Sequence, residues 1–265
     1  MDFDAYARML WAGRADAYQR GFARLTAHTA GALLDAAGVT ADTRLLDAGT
    51  GPGVVAGAAV ARGARVTAID AEPSMAEAAA RNVPGLDVRV AVLPDLPLND
   101  GEFDAVTGNF VINAVGQPEA ALTELHRVLR EDGRLALTCW RHPPSTALGI
   151  AADAIEAAGV PWPEDVPVPP FRKYSSPGAF EALLTGMGFT DATAREVSWE
   201  HRVDPADWWQ VYLAGIGSNG AVIARQDAAT VARIKAEFDR LIAPYAVGDG
   251  MVAMPAVAVL ASATW

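Results

Sequence analysis

The sequence predicts an α/β fold: a doubly wound, mostly parallel sheet of seven strands, with helices at the N-terminus and helical lid insertions. The first observation is an apolar run that ends in Asp47 and passes into three alternating glycines, which indicates a strand, a tight turn and a helix. The second is a set of near-continuous apolar runs at 44–47, 65–70 and 103–110, typical of parallel strands covered on both faces. Helical patterns lie between these runs, as expected for crossover connections.

Local patterns predict the elements in chain order. Apolar residues at three- and four-residue spacing indicate helices, and Pro73 suits the first turn of one of them. The expected strands are 44–47, 65–70, 88–92, 103–110, 133–140, 193–203 and 252–263. The expected helices are 2–12, 16–38, 53–62, one opening at 72–75, 118–130, 147–158, 177–187, one opening at 204–205, and 228–242, with a glycine-rich turn at 215–220.

These elements divide the chain into four segments. Residues 1–40 form an N-terminal helical cap, and residues 41–141 form a ligand-binding α/β core. Residues 142–175 are a lid insertion, in which five prolines within 161–171 predict an extended, stiff loop with no helix. A plain surface connection is the alternative to a lid. Residues 176–265 complete the sheet and contain a helical insertion at about 204–245.

Composition narrows the classes of function. A length of 265 residues with 51% hydrophobic content supports one sizeable core. The net charge of −11 and the lack of a basic stripe argue against a nucleic-acid partner. No apolar run approaches a membrane span and the acidic start has no signal pattern, so we expect a cytoplasmic protein without a membrane partner. The single cysteine, Cys139, excludes an internal disulfide and a cysteine metal cluster.

The acids beside the glycine turn indicate the kind of ligand. Asp47 precedes the turn, and the next predicted strand ends in Asp70, where a carboxylate can accept both hydroxyls of an adenosine ribose. The glycine spacing is G-x-G-x-G and not the G-x-G-x-x-G of pyrophosphate-binding turns. Two acids make the turn hostile to a phosphate-rich ligand, whereas a ligand with an amine and a sulfonium would be favoured.

With these motifs the sequence resembles the class I S-adenosylmethionine-dependent methyltransferases, in the branch that acts on small molecules. The resemblance covers roughly residues 40 to 140 in the family's order and spacing. It rests on the segment 46–53, on Asp70, on 96–98 followed by Phe103 and Asp104, on 109–113, and on the strand 133–138. It implies a Rossmann-like methyltransferase fold, S-adenosylmethionine as cofactor and S-adenosylhomocysteine as product.

The resemblance also implies a set of cofactor-binding residues. These are Asp47, Gly49, Thr50, Gly51, Gly53, Asp70, Ala71, Met75, Leu93 and Asn109. Met75 stands where the family commonly packs a side chain against adenine; a core contact is the alternative. Val92 replaces the family's usual acid for the adenine amino group, so adenine recognition must rest on backbone near Leu93, on Asp95 or on apolar stacking.

The acceptor pocket and the catalytic groups are less specified. The substrate-binding candidates are Trp11, Arg14, Tyr18, Phe110, Trp140, Trp162, Phe171 and Trp208, although an aromatic stripe at helical spacing also suits a core. His142, after the fifth strand, is the candidate base, and a solvent-facing loop position is its alternative. Asn113 is the candidate polar contact near the reacting methyl, with helix capping or loop hydrogen bonding as its other use. His201 is expected to be a core residue with its hydrogen bonds satisfied.

The leading hypothesis is a methyltransferase acting on a small-molecule acceptor, as a monomer or homodimer, within secondary metabolism. No metal is expected, since the four histidines show no ligand spacing with carboxylates. One alternative keeps S-adenosylmethionine for a cyclisation or elimination, and another is a non-catalytic binding subunit. Nicotinamide oxidoreduction is disfavoured by the glycine spacing. The sequence names neither the acceptor nor the methylated atom.

Overall fold

A seven-stranded sheet forms the centre of the computed structural model, which describes residues 2–265. The strands lie in the order β3-β2-β1-β4-β5-β7-β6, and all are parallel except β7, which runs antiparallel to both β5 and β6. This confirms the predicted fold class. The strands are β1 (Arg44–Ala48), β2 (Arg65–Asp70), β3 (Asp87–Val90), β4 (Phe103–Asn109), β5 (Leu129–Trp140), β6 (Thr190–Val203) and β7 (Val252–Thr264).

Twelve helices in the described residues surround the sheet. The first six are α1 (Phe3–Trp11), α2 (Ala15–Arg20), α3 (Phe22–Thr26), α4 (Ala30–Ala36), α5 (Val54–Ala61) and α6 (Pro73–Asn82). The other six are α7 (Pro118–Val128), α8 (Thr146–Ala157), α9 (Pro177–Gly186), α10 (Pro205–Leu213), α11 (Gly217–Ile223) and α12 (Ala228–Ile242). Short 3₁₀ turns at Val111–Ala114 and Pro170–Tyr174 bear on the site. No helix among residues 2–265 is long and apolar enough to span a bilayer.

Successive side chains of a buried strand enter two different cores. Leu46 of β1 packs with residues of α7 and α9 on one face of the sheet, whereas Leu45 packs with residues of α4 and α5 on the other. This division follows from the period of two along a strand. It explains why β1 has buried side chains at every position from Leu45 to Ala48.

A third core joins the N-terminal helices to the late helices. Its largest members are aromatic side chains of α1, α3, α10 and α12: Tyr6, Phe22, Trp208, Trp209, Tyr212 and Phe238. The residues come from segments that are about 200 positions apart in the sequence. This core fixes the N-terminal helices and the α10–α12 region against each other, beside the carboxyl end of the sheet.

Three predicted elements were wrong in detail. The expected helix 16–38 is interrupted at Gly21, whose backbone is not helical and whose added Cβ would lie 2.1 Å from Val211 Cγ2. The expected glycine-rich turn 215–220 overlaps the first four residues of α11, because the missing side chain at Gly220 allows close approach to the backbone of Gly215. A 3₁₀ turn ends the proline-rich segment where no helix was expected. The four-segment division of the chain remains a prediction.

Candidate cofactor and acceptor site

The glycine turn after β1 requires glycine at each of its three positions. Gly49, Gly51 and Gly53 have φ values of 67°, 54° and 87°, in the left-handed region that disfavours other side chains. A Cβ on Gly49 would lie 2.4 Å from Val111 Cγ2, so the turn and the segment after β4 approach closely. The turn therefore presents bare backbone at the carboxyl edge of the sheet, where ligands bind in open α/β folds.

Two buried carboxylates flank this turn. Asp47 accepts hydrogen bonds from the hydroxyls of Thr50 at 2.7 Å and Thr107 at 3.0 Å. Asp70 accepts from the amides of Gly51 at 2.8 Å and Glu72 at 2.9 Å. Neither acid forms a salt bridge with a described Lys or Arg. Two uncompensated acids at one turn favour a cationic ligand.

The electrostatic state of this acid pair reflects burial. Desolvation raises the pKa of Asp47 to about 6, and the nearby charge of Asp70 adds to the shift. Desolvation also raises the pKa of Asp70, against the hydrogen bonds from Glu72 and Gly51. A positive charge beside the pair would favour ionisation of both groups, because an opposite charge stabilises a carboxylate.

One cavity of about 570 Å³ extends from this turn to the lid segment. Its inner wall contains the glycine turn and the residues after β2, and its outer wall contains the proline-rich segment and α11. Between them lie the aromatic side chains of Phe110 and Trp140, whose rings stack with centroids 3.9 Å apart. A cavity of this size suits a cofactor beside a second small molecule.

The structure places most of the expected cofactor residues on the wall of this cavity. Those on the wall are Gly49, Gly51, Asp70, Ala71, Met75, Leu93 and Asn109. Asp47 and Thr50 line a smaller adjoining pocket, which shares Gly49 and Gly51 with the main cavity. Their roles toward a cofactor remain predictions.

Two expected cofactor residues have structural tasks that oppose a direct contact. Gly53 lines neither pocket; it allows close packing against α6, since a Cβ there would lie 3.2 Å from Ala79. Asn109 has both ends of its amide engaged: its oxygen accepts from Thr29 and Thr138, each at 2.7 Å, and its Nδ2 donates to the Thr26 carbonyl at 3.0 Å. Asn109 therefore joins the N-terminal helices to the sheet, and of its amide groups only the second N–H of Nδ2 is left to contact a ligand.

The part of the wall that is expected to face adenine is lined by apolar side chains and by backbone. Ala91, Val92 and Leu93 line the cavity, and Val92 is 40% exposed. Asp95 is not on the wall, and its amide donates to the Val92 carbonyl at 3.0 Å. Of the routes left open by the sequence, the geometry supports backbone groups and apolar contact and does not support Asp95.

Five of the expected substrate residues lie on the wall: Trp11, Tyr18, Phe110, Trp140 and Trp162. Trp11 meets the Tyr18 ring edge-on at 5.6 Å, and both pack on Met75. Phe110 directly follows β4 at the edge of the cavity. Its φ of 63° is a strained backbone conformation for a residue with so large a side chain. Trp162 is 45% exposed, as expected for a residue at the mouth.

Three expected substrate residues are elsewhere. Phe171 is fully buried in the core beneath the sheet, with the Phe180 ring edge-on at 4.9 Å. Trp208 is fully buried between Phe22 and Tyr212. Arg14 donates to the carbonyls of Met9 and Leu10, at the end of α1, and is not on the wall. Packing and helix termination thus explain the positions of these residues, and their absence from the cavity wall does not support the substrate role predicted for them.

The two catalytic candidates, Asn113 and His142, both lie on the cavity wall and differ in their hydrogen bonding. Asn113 accepts from the Trp140 amide at 3.1 Å through its Oδ1, and no described group accepts from its Nδ2. His142 Nε2 faces the Arg172 guanidinium, with Arg172 Nε at 3.0 Å and Nη2 at 2.6 Å. Desolvation and the charges of Arg172 and Arg141 lower the pKa of His142. This pairing occupies the lone pair that a base needs, so the arrangement opposes the predicted base role.

Several wall residues were missed by the sequence reasoning. They are Phe3, Tyr6, Arg8 and Leu10 of α1, Arg172, and Ile216 to Asn219 around the start of α11. Their proximity arises from the packing of distant segments, for which the sequence carries no spacing signal. His201 also differs from expectation, because it is buried with neither ring nitrogen bonded. In the described part of the chain, no group of three or more His, Cys, Asp or Glu could hold a metal ion.

Comparisons with known proteins identify the family. Residues 46–137 match the family described as "Methyltransferase domain". The chain is 40% identical over 108 residues to a demethylmenaquinone methyltransferase of Clavibacter sepedonicus, a match to 39% of this chain and 44% of that protein. The chain thus spans less than half the length of the first curated relatives that it matches.

A longer match is to nocamycin O-methyltransferase of Saccharothrix syringae, at 31% identity over 193 residues, 66% of this chain and 69% of that protein. Among solved structures, the [4+2]-cyclase SpnF has the same fold, with a TM-score of 0.54, 19% identity, and coverage of 89% of this chain and 80% of that chain. The glycine turn with its two acids, the strand order and these matches lead to one family. The chain belongs to the class I S-adenosylmethionine-dependent methyltransferases.

Proposed function

We propose that this protein transfers the methyl group of S-adenosylmethionine to a small, largely apolar acceptor. The observation that carries the proposal is the single cavity, which joins the acid-flanked glycine turn to a wall of aromatic side chains. One end suits the charged and ribose groups of the cofactor. The other end is lined by aromatic side chains and is large enough to hold an acceptor against the cofactor.

The residues at the turn fit the cofactor on structural grounds. Each oxygen of Asp70 accepts one backbone amide, which leaves lone pairs for two ribose hydroxyls. The ammonium and sulfonium of the cofactor would compensate the buried charges of Asp47 and Asp70. When bound, S-adenosylmethionine supplies an electrophilic methyl group.

The chain's own part in the reaction is alignment and exclusion of water. In-line displacement joins the acceptor's lone pair to the methyl carbon, while the carbon–sulfur bonding pair stays on sulfur. An amine acceptor then releases a proton to solvent, whereas an oxyanion becomes neutral and releases none. Phe110 and Trp140 form a rigid stacked wall between the two ends, and Asn113 Nδ2 is free to orient the acceptor. Alignment of two reactants accounts for a large part of such a rate enhancement.

The His142 pairing bears on the acceptor's chemistry. In the free protein Arg172 donates to Nε2, so we place no general base at this position in that state. The proposal therefore favours a nucleophile that reacts without prior deprotonation, such as an amine or an oxyanion, over a neutral hydroxyl.

Mass spectrometry with methyl-deuterated S-adenosylmethionine tests the proposal. The protein is incubated with the labelled cofactor and a panel of flat apolar amines and phenols, and the products are examined for the label. A labelled product together with S-adenosylhomocysteine supports the proposal. An acceptor that is transformed while the cofactor stays intact would instead indicate cyclisation or elimination, an activity compatible with the fold of SpnF. Cofactor binding with turnover only after a partner is added would indicate a binding subunit.

The setting of this activity is also part of the proposal. We place the reaction in the cytoplasm, in secondary metabolism, with a monomer or homodimer as the active form. The nocamycin O-methyltransferase match supports a small-molecule acceptor. The net charge of −11 supports the exclusion of nucleic acid as a substrate.

A further inference from the structure

Charged side chains on the cavity wall are grouped by sign, except that Asp4 lies with the basic groups. The cofactor end carries the acids Asp70 and Glu72. The outer end carries the guanidinium groups of Arg8, Arg141 and Arg172, together with His142. In a chain with 32 acidic and 21 basic residues, this concentration of arginine on one wall runs against the overall composition.

Arg172 has no carboxylate partner in the described residues. Its Nε and Nη2 both converge on one atom, His142 Nε2, at 3.0 and 2.6 Å. The Nε and Nη2 hydrogens of a guanidinium form the fork that binds the two oxygens of a carboxylate. An imidazole nitrogen has a single lone pair, so this fork is only half satisfied.

The neighbouring charges increase the positive potential at this point. Arg141 lies on the same wall, and its nearest carboxylate, Glu196, is 3.8 Å from its Nε, too far for a hydrogen bond. Arg8 also has no carboxylate partner among the described residues. The one acid on this part of the wall is Asp4, whose Oδ1 accepts from the Gly116 amide at 2.6 Å.

We infer that the acceptor carries a carboxylate, which the fork of Arg172 binds at the outer end of the cavity in place of His142. The rest of the acceptor lies along the apolar wall formed by Trp140, Trp162 and Val166. The substrate class is therefore an amphipathic organic acid, with its carboxylate at the mouth and its methylated atom toward the cofactor. This inference rests on the proposed function for the direction of the acceptor, and its binding test does not require turnover.

The test compares two ligands of one shape that differ in charge. Decanoate and decanamide are titrated calorimetrically into protein saturated with S-adenosylhomocysteine, and into the free protein if that compound does not bind. We expect decanoate to bind at least about tenfold more tightly than decanamide, since a charge-assisted fork contributes more than a neutral contact. Equal affinity of the two ligands would overturn the inference.

Variants locate the effect. Arg172→Met should abolish the preference for decanoate, and Arg172→Lys should retain part of it, because a lysine keeps the charge and loses the fork. Arg233→Met is the matched control: Arg233 is on α12, is not on the cavity wall and has no carboxylate partner within the described chain, so the preference should be unchanged. A preference that survives in Arg172→Met, or disappears in Arg233→Met, would contradict the assignment to this site. Binding of S-adenosylhomocysteine is measured separately. If it binds and the preference for decanoate is absent, this inference fails while the proposed function stands; if it does not bind, the proposed function fails.

Discussion

Asp47 shows how one residue links the fold to the ligand. Its carboxylate is buried at the end of β1, bonded to two threonine hydroxyls and facing no cation in the described chain. Burial without a counter-charge destabilises the ionised form. The free protein therefore stores an electrostatic cost at the turn, which a cationic ligand would relieve.

This cost predicts a pH-dependent effect of Asp47→Asn. The folded pKa of about 6 lies above the ordinary value of 3.8, so the unfolded chain ionises first as the pH rises. The stability of the wild type should fall between pH 4 and 6 by up to about 3 kcal/mol from this group, and then level off. The Asn variant lacks this loss, so its stability relative to the wild type should increase over the same window.

Urea denaturation at pH 4.5 and 7.5 measures this difference. Asp87→Asn is the control, because the guanidinium of Arg89 holds the pKa of Asp87 below its usual range. Loss of the Asp87 carboxylate should lower the free energy of unfolding at neutral pH, whereas Asp47→Asn should raise it relative to the wild type as the pH increases. A difference between Asp47→Asn and wild type that is the same at both pH values would refute the electrostatic account of Asp47.

At the scale of elements, the proline-rich segment has two parts with different tasks. Trp162 is half-exposed at the cavity mouth, whereas Phe171 is fully buried against α9. In the sequence, Trp162 and Phe171 are both aromatic residues of an extended, proline-rich loop. That pattern does not indicate which of the two side chains is buried. The fold supplies the distinction through the 3₁₀ turn at Pro170–Tyr174.

Alanine substitutions separate these tasks. Phe171→Ala should lower the free energy of unfolding by about 3–5 kcal/mol, the usual cost of removing a buried phenyl ring. Trp162→Ala should leave stability within about 0.5 kcal/mol and should raise KM for the acceptor. Thermal unfolding and steady-state kinetics check the pair. If Trp162→Ala strongly lowers the free energy of unfolding, or if Phe171→Ala leaves it unchanged and raises KM, the assignment of Trp162 to the cavity mouth and Phe171 to the core would be contradicted.

The contact between α10 and α11 depends on Gly220. A Cβ there would lie 2.7 Å from the Gly215 carbonyl carbon and 2.9 Å from the Tyr212 oxygen, both rigid backbone atoms. Gly220→Ala should therefore lower the free energy of unfolding by about 1–3 kcal/mol through overpacking. Gly31→Ala in α4 is the matched control: nothing lies within 4 Å of its added Cβ, and the higher helix propensity of alanine should stabilise the protein. Equal effects of the two substitutions in urea denaturation would contradict the close contact.

At the scale of the whole molecule, the N-terminal helices close one side of the cavity. Asp4 binds the Gly116 amide near the 3₁₀ turn after β4, and the Gly13 amide donates to Glu72 Oε1 at 3.1 Å beside the turn after β2. Helix α1 is thus held at both of its ends over the cavity. Asp4 and Glu72, one partner of each of these bonds, line the cavity in which we propose that the cofactor binds.

This arrangement predicts which amides a cofactor protects. S-adenosylhomocysteine should slow hydrogen exchange in residues 3–20 as well as in the turns after β1 and β2, because ligand binding suppresses local opening of the elements that it contacts. Helix α12 serves as the internal control and should be unaffected. Protection confined to the two turns would show that the N-terminal helices are not part of the cofactor's enclosure.

The sequence predicted the fold, and most of the residues expected to bind cofactor or substrate lie on the wall of one cavity, where their roles remain predictions. The glycine turn and Asp70 are local: backbone conformation and strand termination place them whatever the rest of the chain does. Trp208 and Arg14 lie off the cavity wall, because the sequence does not show against which partner each helix packs. The Arg172–His142 pair joins residues 30 positions apart through a loop whose course only tertiary packing determines.

Calorimetric titration with S-adenosylhomocysteine tests the central claim most directly. The wild type should bind one equivalent, and Asp70→Asn should bind at least about tenfold more weakly, because the amide loses the charge-assisted bonds to the ribose hydroxyls. Asp87→Asn, at the start of the adjacent strand and off the cavity wall, should bind like the wild type. Lack of binding by the wild type, or equal affinity in Asp70→Asn, would contradict the account of this cavity as a cofactor site.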